Sequence, residues 1–133
     1  MSEMSVNKQI VLNYVETMNA GNFERLASLF APDATIHGVV GKGAVDFAMP
    51  VWKDLHSALQ MHLAVEEMIE AGDAVVVRFR ETGKSVAPFR GFPATGKTFE
   101  LTAIEWFGLK DGLIVSRHGV RDSGSQARQL GWA

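Results

Sequence analysis

The final strand-like stretch of the chain ends in RHGVRD, with His118 and Asp122 four residues apart. An aspartate held in an apolar cavity suits acid/base chemistry. Desolvation disfavours its charged form and raises its pKa toward the working pH. Such a carboxylate could take a proton from a carbon lying between two carbonyls, and a donor such as His118 could stabilise the enolate oxygen. The plainer reading makes Asp122 a strand-end charge paired with Arg117 or Arg121 in water, and makes each histidine a structural residue. On spacing alone the plainer reading of Asp122 leads.

Strand parity offers a test. In a regular strand Ile114, Ser116, His118, Val120 and Asp122 share one face, so a pocket-facing Asp122 implies a pocket-facing His118. Their α-carbons would then lie roughly 13 Å apart, too far for a direct bond but close enough for one ligand to meet both. A bulge near Gly119 would break the parity. His37, His62 and His118 have no metal-ligand spacing such as H-x3-H or HExxH, so no metal is expected. His56 and His62 read as surface residues.

The elements that would position these groups follow from periodicity. Val11, Tyr14, Val15 and Met18 recur at helical spacing between a Ser5 cap and a Gly21 stop. A second short helix runs from an Asn22 cap toward Pro32, with Phe23, Leu26, Ala27 and Phe30 on one face. Residues 33–40 read as a strand. Phe47, Val51 and Leu55 mark a third helix with Trp52 beside them, kinked by Pro50 or restarted there. From residue 61 the period becomes two. Strands are predicted over 61–70, 74–83, 97–109 and 113–122, with a strong hairpin signal at Asp111–Gly112. Helices followed by an antiparallel meander mean an α+β domain, the helices packed on one face of the sheet.

The bulk properties narrow the function. The chain has 133 residues, which suits one domain, 1–133. It has no cysteine, which excludes disulfides and thiolate chemistry and fits a cytoplasmic protein. A net charge of -2 with scattered basic residues argues against nucleic acid. No apolar run approaches the roughly 20 residues of a membrane span, and no secretory signal is recognisable at the N-terminus. No phosphate-binding loop appears.

Several stretches resemble the SnoaL-like polyketide cyclase family, within the nuclear transport factor 2-like superfamily. They are NAGNFERLASLFAPDATIHG, EEMIEAGDAVVVRF, FRGFPATGK, DGLI, and an aspartate followed seven residues later by QLG, from Asp122 to Gly131. They fall in the family's order over nearly the whole chain. The resemblance implies three N-terminal helices in the concave face of a strongly curved, mainly antiparallel sheet, a cone with a deep apolar pocket. It implies no metal or organic cofactor, a small apolar or carbonyl-containing ligand, and a homodimer formed through the sheet. It makes Asp122 the general acid/base of a ring closure, with His118 and His37 as polar partners. The chain departs from the family at Ser85, Gly108, Ser116 and His118.

Large side chains complete the expected pocket. Tyr14, Phe47 and Trp52 come from the helices and Ile104 and Trp106 from the sheet, with Phe89 and Phe92 as a lid or as a plain crossover. The family's inward basic residue at the position of Gly108 would put Thr102, Ile104 and Trp106 inward and Glu105 outward. Two functions follow: a cofactor-independent cyclase or isomerase, or a non-catalytic binding module for a small ligand on the same fold. Epoxide hydrolysis is a neighbouring possibility that usually needs an Asp-Arg-Asp arrangement.

Overall fold

The computed structural model describes residues 4–38 and 41–133. Helix α1 (Val6–Ala20) begins where the Ser5 hydroxyl accepts from the Lys8 amide at 3.1 Å. It ends at Gly21, whose left-handed backbone (φ 71°) lets its amide bond back to Met18. The predicted stripe Val11, Tyr14, Val15 and Met18 is buried. Full burial of one such side chain contributes about 1.5–3 kcal/mol. Helix α2 (Phe23–Ser28) is capped by Asn22. It stops before Pro32, which lies instead inside β1 (Phe30–Gly38). There the pairing with a neighbouring strand breaks between Phe30 and Thr35, so a missing amide proton costs no ladder bond. The last two residues of the strand expected over 33–40 fall outside the described residues.

A short β2 (Gly41–Gly43) leads into α3 (Val45–Leu59), which runs through Pro50 as one helix. The proline forfeits one bond near the helix start without stopping it. Val51, Trp52, Leu55 and Leu59 form its buried side.

Strands β3 (His62–Ala71), β4 (Ala74–Lys84), β5 (Thr98–Lys110) and β6 (Leu113–Arg121) form the expected antiparallel meander. Asp111 and Gly112, both left-handed (φ 52° and 79°), turn β5 into β6, as the sequence signal requires. The sheet has six strands in the order β2-β1-β6-β5-β4-β3, with β1 parallel to β6. A fourth helix, α4 (Ser123–Leu130), follows and packs against β5. The fold is α+β, with α1 and α3 covering one face of the sheet. Val75, Val77 and Phe79 from β4 and Phe99, Leu101 and Phe107 from β5 supply the sheet side of the core.

Candidate functional site

One extra residue in β6 reverses the expected geometry. Gly108 pairs with Ser116 and Leu109 with Ile114, so Val115 is bulged out of the ladder. Beyond it the odd-numbered residues Arg117, Gly119 and Arg121 face the helices and line a cavity. His118 is exposed on the opposite face. The bulge breaks the parity four residues earlier than the glycine where it was anticipated.

His37 is also exposed. The β1–β6 register sets it beside His118, and their rings stack at 4.1 Å with 11° between planes. The two histidines therefore meet each other and not a cavity ligand. Asp122 is exposed as well. It is the N-cap of α4, its Oδ1 accepting from the Ser125 amide at 3.0 Å, and it is not part of the cavity wall. The placement of Asp122, His118 and His37 together in an apolar pocket is thus corrected.

The expected orientation of β5 is corrected too. Trp106 is 58% exposed and Ile104 42%, whereas Glu105 is 3% exposed. Three large apolar side chains, Phe99, Leu101 and Phe107, take the inner face and carry Glu105 in with them. Gly108 faces outward beside the Ser116 hydroxyl, so its position does not orient the strand. Phe89 and Phe92 pair with each other and stack on Trp132 at 6.1 and 4.6 Å, away from the cavity wall. The Trp132 indole donates to the Pro93 carbonyl at 2.9 Å, so the C-terminal tail clasps this loop. Of the expected pocket residues, Tyr14, Trp52 and Phe47 do line the cavity, Phe47 being 46% exposed.

The chemistry inside joins Tyr14, expected in the pocket, to Glu105 and Arg117, which the sequence reading placed elsewhere. Tyr14 is completely buried, and its hydroxyl donates to Glu105 Oε1 at 2.8 Å. Arg117 donates to the same oxygen from Nε at 2.5 Å, and its Nη2 stands at 2.5 Å as well. Burial pushes the Tyr14 phenol well above its ordinary value of 10.0; the Arg117 charge opposes this and the Glu105 carboxylate reinforces it. Burial also works against the Arg117 charge, but Glu105 and Tyr14 outweigh it and hold the guanidinium above its ordinary range. The phenol is therefore a neutral donor and the guanidinium a fixed cation at any physiological pH.

Glycine and tryptophan make room for that cation. A Cβ on Gly119 would stand 2.8 Å from Arg117 Cζ, and one on Gly38 would stand 3.3 Å from Nη1. The Trp52 ring centre lies 5.6 Å from Cζ, within cation–π range. Arg117 Nη1 makes no hydrogen bond with the described residues and lies over this glycine floor.

A second buried pair, Arg121–Glu81, also lines the cavity. Arg121 Nε donates to Glu81 Oε1 at 3.2 Å and Nη2 to Oε2, while Nη1 donates to Gln126 Oε1 on α4 at 3.0 Å. The remaining wall is apolar, with Met18, Val51, Trp52, Leu55, Met61 and Leu63. The cavity is partly open to solvent, and its space of about 50 Å³ is several times the roughly 10–15 Å³ that one water needs.

Among the described residues no three histidine, aspartate or glutamate side chains cluster as metal ligands. No helix among the described residues is long and apolar enough to cross a membrane.

The comparisons with known proteins agree with the fold. Residues 11–117 match the family model of the SnoaL-like domain. The aklanonic acid methyl ester cyclase DnrD of Streptomyces peucetius is 29% identical, with 96% of this chain and 92% of that protein aligned. The crystal structure of IdmH, a candidate polyketide cyclase of Streptomyces antibioticus, superposes with a TM-score of 0.83 at 27% identity, covering 94% of this chain and 98% of that one. AclR, a candidate hydroxylase of Streptomyces galilaeus, superposes with a TM-score of 0.88 at 19% identity, covering 98% and 99%. That last likeness shares the fold alone. With the model spanning most of its length, this chain belongs to the SnoaL-like polyketide cyclase family.

Proposed function

We propose that the cavity is the site of a cofactor-independent proton transfer beside a carbonyl, ending in ring closure or isomerisation of a small polyketide-ester-like substrate. The observation that carries this reading is the buried cluster of Tyr14, Glu105 and Arg117 in an otherwise apolar wall. Glu105 is the acid/base. Its Oε1 is occupied by Tyr14 and Arg117, while Oε2 receives no hydrogen bond from the described residues.

The step balances within the site. Glu105 takes a proton from the carbon between two carbonyls, and the electron pair moves onto the substrate oxygen as an enolate. Negative charge thereby leaves the carboxylate and appears on the substrate. Arg117 and Tyr14 can follow it, exchanging one oxygen partner for another, so neither donor is left unpaired in a dry site. The enolate carbon then attacks an internal carbonyl, and the alkoxide recovers the proton from Glu105. The similarity to a methyl ester cyclase supports the substrate class.

The test is turnover of a β-keto ester carrying an internal ketone. Glu105→Gln is expected to lose at least about 100-fold in kcat, the lower end of general acid–base contributions. Asp122→Ala is expected to stay within a few-fold of wild type. Loss of activity in Asp122→Ala with Glu105→Gln active would overturn the assignment. The two hydrogen bonds and the ion-pair contact already satisfying Glu105 Oε1 also fit a non-catalytic binding cavity. A wild type that is thermally stabilised by the ester and never turns it over would establish that second reading.

We also propose that the outer face of the sheet meets a second copy of the chain. Ile69, Ile104, Trp106 and Val120 are all more than two-fifths exposed there. A contiguous apolar face of this kind marks an interaction surface.

A further inference from the structure

The cavity contains two guanidinium–carboxylate pairs, and the reaction proposed above uses one. We propose that Arg121, fixed by Glu81 and Gln126, is a specificity-determining residue that binds a hydrogen-bond acceptor at the end of the ligand remote from Glu105. This rests on the cavity being the ligand site.

The inner face of the sheet has a simple layout. On β6, Arg117 and Arg121 lie four residues apart, roughly 13 Å between α-carbons, with Gly119 between them. On β5, Glu105 pairs across from Gly119, and Ala103 across from Arg121. The floor between them is Gly119, Ala103 and the adjacent Gly38, all cavity-lining and all small, and the Arg117 guanidinium folds over Gly119 and Gly38. Arg121 lines the cavity beyond Ala103, and Trp52 and Met61 contribute to the apolar wall. Such a space takes a mainly apolar molecule bearing one oxygen toward the Arg117 guanidinium over the floor and another at the Arg121 end. An acceptor at only one end would leave the other guanidinium facing hydrocarbon.

Arg121 is held as a recognition group is. Its fork meets both oxygens of Glu81, and its side chain is 12% exposed. Among the described residues each terminal nitrogen has one partner and so keeps one N–H for an acceptor. Gln126, 3% exposed, turns its carbonyl oxygen to Nη1, because a guanidinium only donates. That choice leaves the Gln126 Nε2 buried without a partner among the described residues. A buried amide donor left unpaired destabilises the fold, so this arrangement is not the one stability alone selects. It aims Arg121 at some expense to α4. Glu81 and Gln126 are positioning residues; Arg121 is the group that touches ligand.

The test uses 2-hydroxyanthraquinone and 2,6-dihydroxyanthraquinone, flat probes with a polar end on one side or on both, binding being read by quenching of tryptophan fluorescence. Wild type is expected to prefer the two-ended probe by about tenfold, the scale of one hydrogen bond to a charged group. In Glu81→Leu/Arg121→Met, where apolar groups of similar volume replace the whole pair, both probes are expected to bind as the one-ended probe binds wild type. Such replacement of a buried pair is commonly neutral for stability. Should that variant fail to fold, Arg121→Lys, which keeps the charge and loses the fork, is expected to cut the preference to threefold or less, with a lowered melting temperature and a circular-dichroism spectrum like that of wild type. A full tenfold preference in a folded variant, or equal binding of both probes by wild type, overturns the assignment of Arg121 and leaves the cavity reading standing. Binding of neither probe to wild type overturns the cavity reading and this inference with it.

Discussion

Two adjacent rows cross the sheet at the same height and have opposite fates. Val77, Glu105 and Gly119 form one row on the inner face; Val76, Trp106 and His118 form the next row on the outer face. By residue type alone the assignment looks inverted, with a carboxylate inside and an indole outside. The inner row is buried because its strand neighbours Phe99, Leu101 and Phe107 require burial, and Glu105 is tolerated there because Arg117 and Tyr14 meet it. The same ion chemistry recurs outside with little consequence. Arg78 stands 3.6 and 3.8 Å from Glu66 and Glu67, and Arg80 3.5 Å from Glu100, all at least two-fifths exposed. Exposed pairs of this kind contribute about 0–1 kcal/mol each. The inner pairs act through what happens when one partner is missing.

The largest effect should therefore come from unpairing the inner row. Glu105→Leu leaves the Arg117 cation buried against Trp52 with no counter-charge, and is expected to destabilise the protein by about 3–5 kcal/mol in urea unfolding. Adding Arg117→Met to the same chain should restore most of that stability, because the double change removes both charges at roughly constant volume. A single variant as stable as wild type would mean that water reaches the guanidinium. The contrast with the outer face would then fail.

How much of this was legible beforehand depended on whether a feature was local. The α1 stripe, both of its caps and the Asp111–Gly112 turn each follow from a few contiguous residues. The meander follows from alternation. What failed was facing. The Val115 bulge has no local signature, since a valine is as content in a regular ladder as out of one, yet it decides that Arg117 and Arg121 face inward while His118 does not. The β5 error had a remedy in the chain itself: Phe99, Leu101, Ala103, Phe107 and Leu109 outweigh Thr102, Ile104, Trp106 and Gly108 as an apolar face. Helix α4 was legible too. Asp122 followed by Ser, a run of good helix formers and Gly131 is a cap-to-cap pattern, and it identifies Asp122 as the N-cap.

A pH titration sharpens the comparison from the inner side. Tyr14 is the chain's one tyrosine, so tyrosinate absorbance reports on it alone. Its folded-state pKa lies above the unfolded value of about 10. The native state then holds a proton that the unfolded chain releases. The sign is that this contribution to stability is fully present below about pH 10 and is lost as pH rises beyond it. Tyrosinate absorbance should appear only with unfolding, and Tyr14→Phe should flatten the alkaline limb of the stability curve, with a loss at neutral pH of about 1–2 kcal/mol from one buried hydrogen bond. Ionisation of the phenol in the folded protein near pH 10 would show that the cluster is wet.

The smallest effect on the fold is expected from the outer row, where the side chain that changes is the largest. Trp106 is 58% exposed, flanked by Val76 on β4 and His118 on β6, with His37 stacked beyond. Trp106→Asp removes little buried area and should shift monomer stability by no more than about 0.5 kcal/mol, as surface substitutions do. Its consequence should appear in association. If this row pairs with a second copy, wild type sediments as a dimer and Trp106→Asp as a monomer at the same concentration, because the new carboxylate would be desolvated at the centre of the contact. A wild type that stays monomeric at high concentration would make Trp106 a solvent-facing indole and remove the partner from the proposal. A dimer that survives the substitution would move the contact to another surface. In neither case does the inner row change, because α1 and α3, not a second chain, keep it from water.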